Sequence, residues 1–294
     1  AAELIAEGSV CHLGLSQKAD YVSVHGTLYA ETLELALKME AQIHRVFADA
    51  LITDPMFRIY WQFAVGDSTH TAVIEERADD VLYDESYPTL AGVQDYVHRY
   101  LSADETVLVV IGPPGTGKTR LIRYIFGEMA RLKRPIPRGT SPNHPEAAHP
   151  SILPDWGVVQ RVSAMYANDE SVIKQGKLFV EFLTGDANAL IIEDADHLLR
   201  SRHSSGNDTM HHFLAAADGV MRAQGRKIIF STNLPNISDV DDALIRPGRC
   251  HDVVHLRGLS EAEAQKLTFA MTGGAYPSDH GRQEHTIAEI YRYA

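Results

Sequence analysis

Cysteine is nearly missing from this chain: 294 residues hold two, Cys11 and Cys250, far apart and without metal-ligand spacing. That scarcity excludes a disulfide-framed scaffold and fits a reduced, cytoplasmic setting. No run of eighteen apolar residues occurs, which excludes a membrane-spanning helix. Positive charge is also short, with 27 basic residues against 39 acidic ones and a net charge of −12. Bulk attraction to nucleic acid or to an anionic membrane is therefore disfavoured, although a local basic channel stays open. The first residues, Ala1-Ala2-Glu3-Leu4, lack both an initiator Met and the charged region of a signal peptide, and read as the start of a trimmed chain. What the chain does have is 45% apolar residues, enough for a core, and a length that suggests about two domains.

One stretch organises the rest: Gly112-Pro113-Pro114-Gly115-Thr116-Gly117-Lys118-Thr119. It follows the apolar run Thr106–Ile111, which reads as a buried parallel strand. It precedes Arg120 and an amphipathic helix with Leu121, Ile125, Met129 and Leu132 on one face. Strand, glycine loop and helix make a phosphate cradle, because glycines let backbone N–H groups converge on an anion and the helix N-terminus adds partial positive charge. Lys118 is placed for the β- and γ-phosphates and the Thr119 hydroxyl for Mg²⁺. The stretch implies a nucleoside-triphosphate site.

Before it, residues 1–27 read as short strands or loop, and Leu28 to Leu51 has helical periodicity. Phe57–Val65, Thr71–Glu75 and Val81–Tyr83 read as strands, so residues 1–85 suggest an α+β domain ending in a small antiparallel unit. Its aromatics Tyr60, Trp61 and Phe63 read as core, with an exposed recognition patch as the alternative. A helix is expected over 89–101. Residues 134–156 carry six prolines and read as a long loop, entered through Arg131, Lys133, Arg134 and Arg138. Further strands are expected at Val158–Ser163, Ala189–Ile192 and Lys227–Asn233, alternating with helices at 177–183 and 208–217. Such alternation means a doubly wound parallel sheet with active groups at the strands' carboxyl ends.

Polar residues fall at those ends. Glu193 and Asp194 close one apolar strand; an Mg²⁺-nucleotide site needs one carboxylate for the metal and another for the attacking water. The alternative is a helix N-cap from Asp194 or Asp196. Asn233 could position that water, or simply form a turn before Pro235. The histidines 144, 149, 197, 203, 211 and 212 make no metal-ligand pattern and read as surface residues.

Gly112–Thr119, Leu190–Asp196, Ser231-Thr232-Asn233 and Asp241–Arg249 resemble, in order and spacing, the Walker A, Walker B, sensor 1 and second-homology segments of AAA ATPases. The Arg246-Pro247-Gly248-Arg249 element is similar to the AAA clade in the narrow sense. The resemblance implies an α/β fold over residues 86–257, a P-loop parallel sheet sandwiched by helices, and a small helical lid over 258–294, read as short and incomplete at Ala294. It implies ATP and Mg²⁺ as cofactors, with the 112–120 segment on the nucleotide and Thr119 and Glu193 on the metal. Asp194 and Asn233 would act on water. A homo-oligomeric ring, usually a hexamer, is implied, with Arg246 and Arg249 reaching the neighbouring subunit's γ-phosphate. On the residues alone, the favoured reading is that both arginines hold a loop through carboxylate contacts.

The Glu193-Asp194 order reverses the family's usual Asp-Glu and resembles the subgroup that includes the mitochondrial Rieske-protein translocase. Asp194 in the base position is one methylene shorter, which leaves room for slow turnover. Tyr166 falls where threading members carry a pore-loop aromatic, but no glycine follows it. The expected function is ATP-driven remodelling of a macromolecular client, a protein given the chain's acidity. A nucleic-acid-handling ATPase and a nucleotide-gated scaffold with little hydrolysis are the alternatives.

Overall fold

The computed structural model describes residues 2–6, 8–17, 21–50, 56–66, 68–78, 80–132, 162–200, 225–277 and 282–294. The expected loop at 134–156, the first residues of the strand at 158, the helix at 208–217 and the histidines 144, 149, 203, 211 and 212 lie outside them, as do Lys133, Arg134 and Arg138.

Two compact units divide at Thr53/Asp54. In the first, β1 (Ala2–Ala6), β2 (Ser9–Gln17) and β3 (Val22–Ala30) form an antiparallel meander. Helix α1 (Leu33–Phe47) follows, its Thr32 hydroxyl capping Leu35 N at 3.2 Å. The helix thus starts later than residue 28, because Leu28 pairs with Cys11 across the β2–β3 ladder.

The second unit holds a seven-stranded sheet. Its strands are β4 (Met56–Val65), β5 (Ser68–Arg77), β6 (Val107–Ile111), β7 (Val162–Ala167), β8 (Ala189–Ile192), β9 (Lys227–Thr232) and β10 (Cys250–His255), in the order β10-β6-β9-β8-β7-β4-β5. Every neighbouring pair is parallel except the β4–β5 hairpin. Sequence patterning assigns that hairpin to a domain ending near residue 85. Instead β4 pairs in parallel with β7, Phe57 opposite Val162, and extends the nucleotide-domain sheet. Val81–Tyr83 form no strand; the Val81 carbonyl accepts a hydrogen bond from Arg120 Nη2 at 3.1 Å.

Helices α2 (Val93–Ser102), α3 (Lys118–Arg131), α4 (Glu170–Lys174), α5 (Lys177–Thr184), α6 (Asp196–Leu199), α7 (Glu261–Thr272) and α8 (Ile287–Tyr293) complete the described elements. Alternation along β6 feeds two cores. Leu108 and Val110 pack with α2 and α3, whereas Val107, Val109 and Ile111 pack with α4 and α5. All five are fully buried, each worth roughly 1.5–3 kcal/mol relative to exposure. This three-layer arrangement is the α/β fold expected, with a sheet that also takes in β4 and β5 from before residue 86.

Helices α7 and α8 are capped by their own sequence. Ser260 and Glu263 form a capping box on α7, and Thr286 and Glu289 another on α8. Arg257 grips the Glu263 carboxylate at 2.7 Å through both terminal nitrogens and holds its pKa down to about 2. A depressed carboxyl pKa adds stability in full above the ordinary glutamate range, and that contribution fades as pH falls toward about 2. Ser260→Ala removes a cap and is expected to cost about 1 kcal/mol. A melting curve should show a drop of roughly 2–4 °C.

Candidate functional site

The site is built where β6 stops. Ile111 is the last residue of the strand, and the chain turns through Gly112–Gly117 before α3 opens at Lys118. Gly115 and Gly117 take left-handed φ values of 81° and 84°. A Cβ on Gly112 would stand 2.5 Å from the Leu256 carbonyl oxygen, and one on Gly117 would stand 2.8 Å from the Tyr87 hydroxyl. The loop therefore needs its glycines for conformation and for close approach. Thr116 closes it by donating to the Pro113 carbonyl at 2.8 Å.

Lys118 Nζ reaches the Gly112 carbonyl at 2.7 Å, the Pro113 carbonyl at 3.1 Å and Asn233 Oδ1 at 2.8 Å. Burial pulls its pKa below the ordinary lysine value, opposed by the charges of Asp194, Asp196 and Glu193. Asn233, just past β9, turns its amide the other way and donates from Nδ2 to Asp194 Oδ1 at 3.1 Å. Donor and acceptor sides of that amide are thereby both fixed.

The two carboxylates after β8 are held differently. Thr119 Oγ1 donates to Glu193 Oε1 at 2.5 Å, and the Tyr166 hydroxyl donates to Glu193 Oε2 at 2.9 Å. Burial, then the Glu193 charge, pushes the Tyr166 pKa well above the ordinary phenol value, so Tyr166 stays a donor. Asp194 has φ of 51°, the sole positive value outside glycine among the described residues. Asp196 does not cap α6; its Oδ1 accepts from the Thr232 hydroxyl and from Asn233 N at 2.8 Å, clamping the end of β9.

Lys118, Thr119, Glu193, Asp194 and Asn233 line a cleft of about 480 Å³, closed on the α8 side by Ile287, Ala288 and Tyr291. Ala288 N donates to the Gly115 carbonyl at 3.1 Å, so α8 touches the loop directly. Arg120 stacks its guanidinium 3.9 Å over the Tyr291 ring. The hard oxygen donors of Thr119 and Glu193 suit Mg²⁺, and a cradle that excludes Cβ atoms suits a phosphate chain. The donor set fits both.

The two arginines part company. Arg246 is exposed, and its carbonyl accepts from Arg249 N at 3.2 Å and Cys250 N at 3.1 Å. Arg249 is buried, its guanidinium on the Ala243 carbonyl of its own chain. Neither lines the cleft. Tyr166, considered as a pore-loop aromatic, is instead in β7 with its hydroxyl inside the carboxylate network. Sequence reasoning gave Asp196 a helix-cap role and placed no residue of α8 at the site; the short acidic run 193–196 was the available signal for the former. Among the described residues no cluster of three metal-ligating side chains exists, and no helix is long and apolar enough to cross a membrane.

A glycine loop at the end of a central parallel strand, answered by carboxylates from the next strand but one, defines a P-loop nucleotide-binding domain. The sequence model of the ATPase family associated with various cellular activities (AAA) matches residues 108–257, about half of the chain. The chain belongs to that family, whose members use ATP with Mg²⁺. Among curated relatives, a Bifidobacterium animalis subsp. lactis protein named "AAA ATPase forming ring-shaped complexes" is 24% identical over 73% of this chain and 43% of its own length. The Caenorhabditis elegans "ATP-dependent zinc metalloprotease YME1 homolog" is 30% identical over 48% of this chain and 17% of its own. A Dictyostelium discoideum "Probable mitochondrial chaperone BCS1-B" is 25% identical over 63% and 40%. The chain thus spans less than half the length of each of these three relatives.

Proposed function

We propose that this chain is an ATP-hydrolysing subunit of a ring, six-membered by analogy with the family, that remodels, unfolds or translocates a protein client. The observation that carries the proposal is the pair of hydrogen-bonded sets around the glycine loop: Thr119–Glu193 (2.5 Å) on one side, and the relay Lys118–Asn233 (2.8 Å) and Asn233–Asp194 (3.1 Å) on the other. In it, the loop N–H groups and Lys118 hold the phosphates, and Arg120 with the lid frames the rest of the nucleotide. Thr119 and Glu193 hold Mg²⁺, which when bound offsets charge on the phosphate oxygens. Asp194 takes the proton of the attacking water, and Asn233 fixes both Asp194 and Lys118. The reversed Glu-Asp order supports membership of the subgroup that includes the mitochondrial Rieske-protein translocase.

The exposed Arg246 is the residue assigned to the neighbouring subunit's γ-phosphate. Buried Arg249, on the Ala243 carbonyl, braces the turn that presents it. A ring-shaped assembly is the printed name of one relative and supports this reading. The net charge of −12 favours a protein client over nucleic acid. Both cysteines are free, which supports the reduced, cytoplasmic setting expected from the sequence.

Phosphate release measured against protein concentration, with ATP and Mg²⁺, tests the proposal. Wild-type turnover is expected to rise cooperatively, and Arg246→Ala to lower it about a thousandfold. Assembly on ATP without phosphate release would favour the nucleotide-gated scaffold. Stimulation by DNA or RNA that falls steeply with salt would favour the nucleic-acid reading.

A further inference from the structure

Glu193 is anchored from two sides, and one anchor lies outside every motif that marks the nucleotide site. Thr119, from the loop, takes Oε1; Tyr166, from β7, takes Oε2 at 2.9 Å. A glutamate at a strand terminus has three side-chain torsions to fix, and a single hydrogen bond to Oε1 leaves the carboxylate free to rotate about it. The second donor removes that rotation. Tyr166 is well placed to supply it, because it sits opposite Ile191 in the β7–β8 ladder and its half-buried ring packs against the core beneath α3. The ring also walls an apolar cavity of about 380 Å³, between the β4–β5 hairpin and α3, that reaches Thr119 and Glu193. A phenol held this way donates from a fixed point, with less competition from water than at an open surface, and a donor to a carboxylate is charge-assisted.

We propose that Tyr166 is the positioning residue for the metal-side carboxylate, fixing Glu193 so that Oε1 and the Thr119 hydroxyl face one divalent cation together. The inference rests on the reading of Glu193 as the Mg²⁺-side carboxylate, and Tyr166 itself touches neither metal nor nucleotide. It also accounts for an aromatic followed by no glycine: the residue serves the site and not a pore.

Tyr166→Phe keeps the ring, its packing and the cavity wall, and removes only the donor. The test is fluorescence titration of the full chain with N-methylanthraniloyl-ATP, first in EDTA and then over a series of Mg²⁺ concentrations. Binding in EDTA should stay within about twofold of wild type. The Mg²⁺ concentration for half-maximal enhancement should rise about tenfold, the low end of what loss of an outer partner to a metal ligand does. An unchanged Mg²⁺ midpoint overturns the inference while leaving the nucleotide site intact. Equal weakening in EDTA and in Mg²⁺ overturns it too, since the tyrosine would then be a structural residue. Wild-type binding that ignores Mg²⁺ would defeat the reading of Glu193 first, and the inference with it.

Discussion

Replacing Lys118 with alanine is expected to weaken ATP binding by at least about a hundredfold while leaving the fold intact. The amine is gripped by the Gly112 and Pro113 carbonyls and by Asn233 Oδ1, at 2.7, 3.1 and 2.8 Å. All three of its protons are thereby taken, so it meets a phosphate by exchanging neutral acceptors at the loop for charged phosphate oxygens. Hydrogen bonds to charged groups are worth roughly 1.5–3 kcal/mol each, so losing two contacts to phosphate oxygens accounts for the hundredfold. The stability side runs the other way. Burial disfavours the charged lysine, as its lowered pKa records, so its removal relieves a desolvation cost even as three hydrogen bonds are lost. A nucleotide titration beside a melting curve separates the two effects. Affinity within fivefold of wild type would mean the cradle binds without its cation, and the nucleotide site would have to be reassigned.

The parts of this site that the sequence announced are those whose geometry is local. Six residues between a buried strand and a helix can close on a phosphate only with glycines at left-handed positions, and Gly115 and Gly117 adopt them. Glu193, Asp194 and Asn233 were legible because an apolar run ends abruptly in polar residues, and in a parallel sheet such ends converge. What was illegible depends on partners distant in the chain. The β4–β5 hairpin carries a strand pattern, but nothing in Phe57–Val65 says that it pairs with Val162–Ala167 and not within a separate domain. Arg246 and Arg249 look alike in sequence, yet a turn that hydrogen-bonds back onto Arg246 O buries one and exposes the other. Tyr166 has pore-loop spacing, and only the pairing of β7 with β8 shows that its hydroxyl meets Glu193. Asp196 passed as a possible helix cap because its partners, Thr232 and Asn233, come from another strand.

Asp194→Asn should separate hydrolysis from binding more sharply than any other change in the site. The backbone at 194 is left-handed, with φ of 51°, a region that asparagine and aspartate tolerate better than other residues with a side chain. Asparagine therefore keeps the turn. It also keeps the bond from Asn233 Nδ2, since the new amide can present its oxygen where Oδ1 was, 3.1 Å away. What it removes is the negative charge and the capacity to take a proton. If Asp194 is the base, phosphate release should fall by about 10²–10⁴-fold, the span that general-base catalysis supplies. Affinity for ATP with Mg²⁺ should change by no more than a few-fold, because Glu193 and Thr119 are untouched. Alanine at 194 makes the contrast. It loses the carboxylate too, but it also places a poorly tolerated residue at positive φ, at a cost of about 1–2 kcal/mol, and should lower the melting temperature where asparagine does not. Phosphate release by Asp194→Asn within threefold of wild type would take the base role away from this residue. Its left-handed turn would then be explained by positioning alone: it holds Asn233, and through Asn233 the head of Lys118.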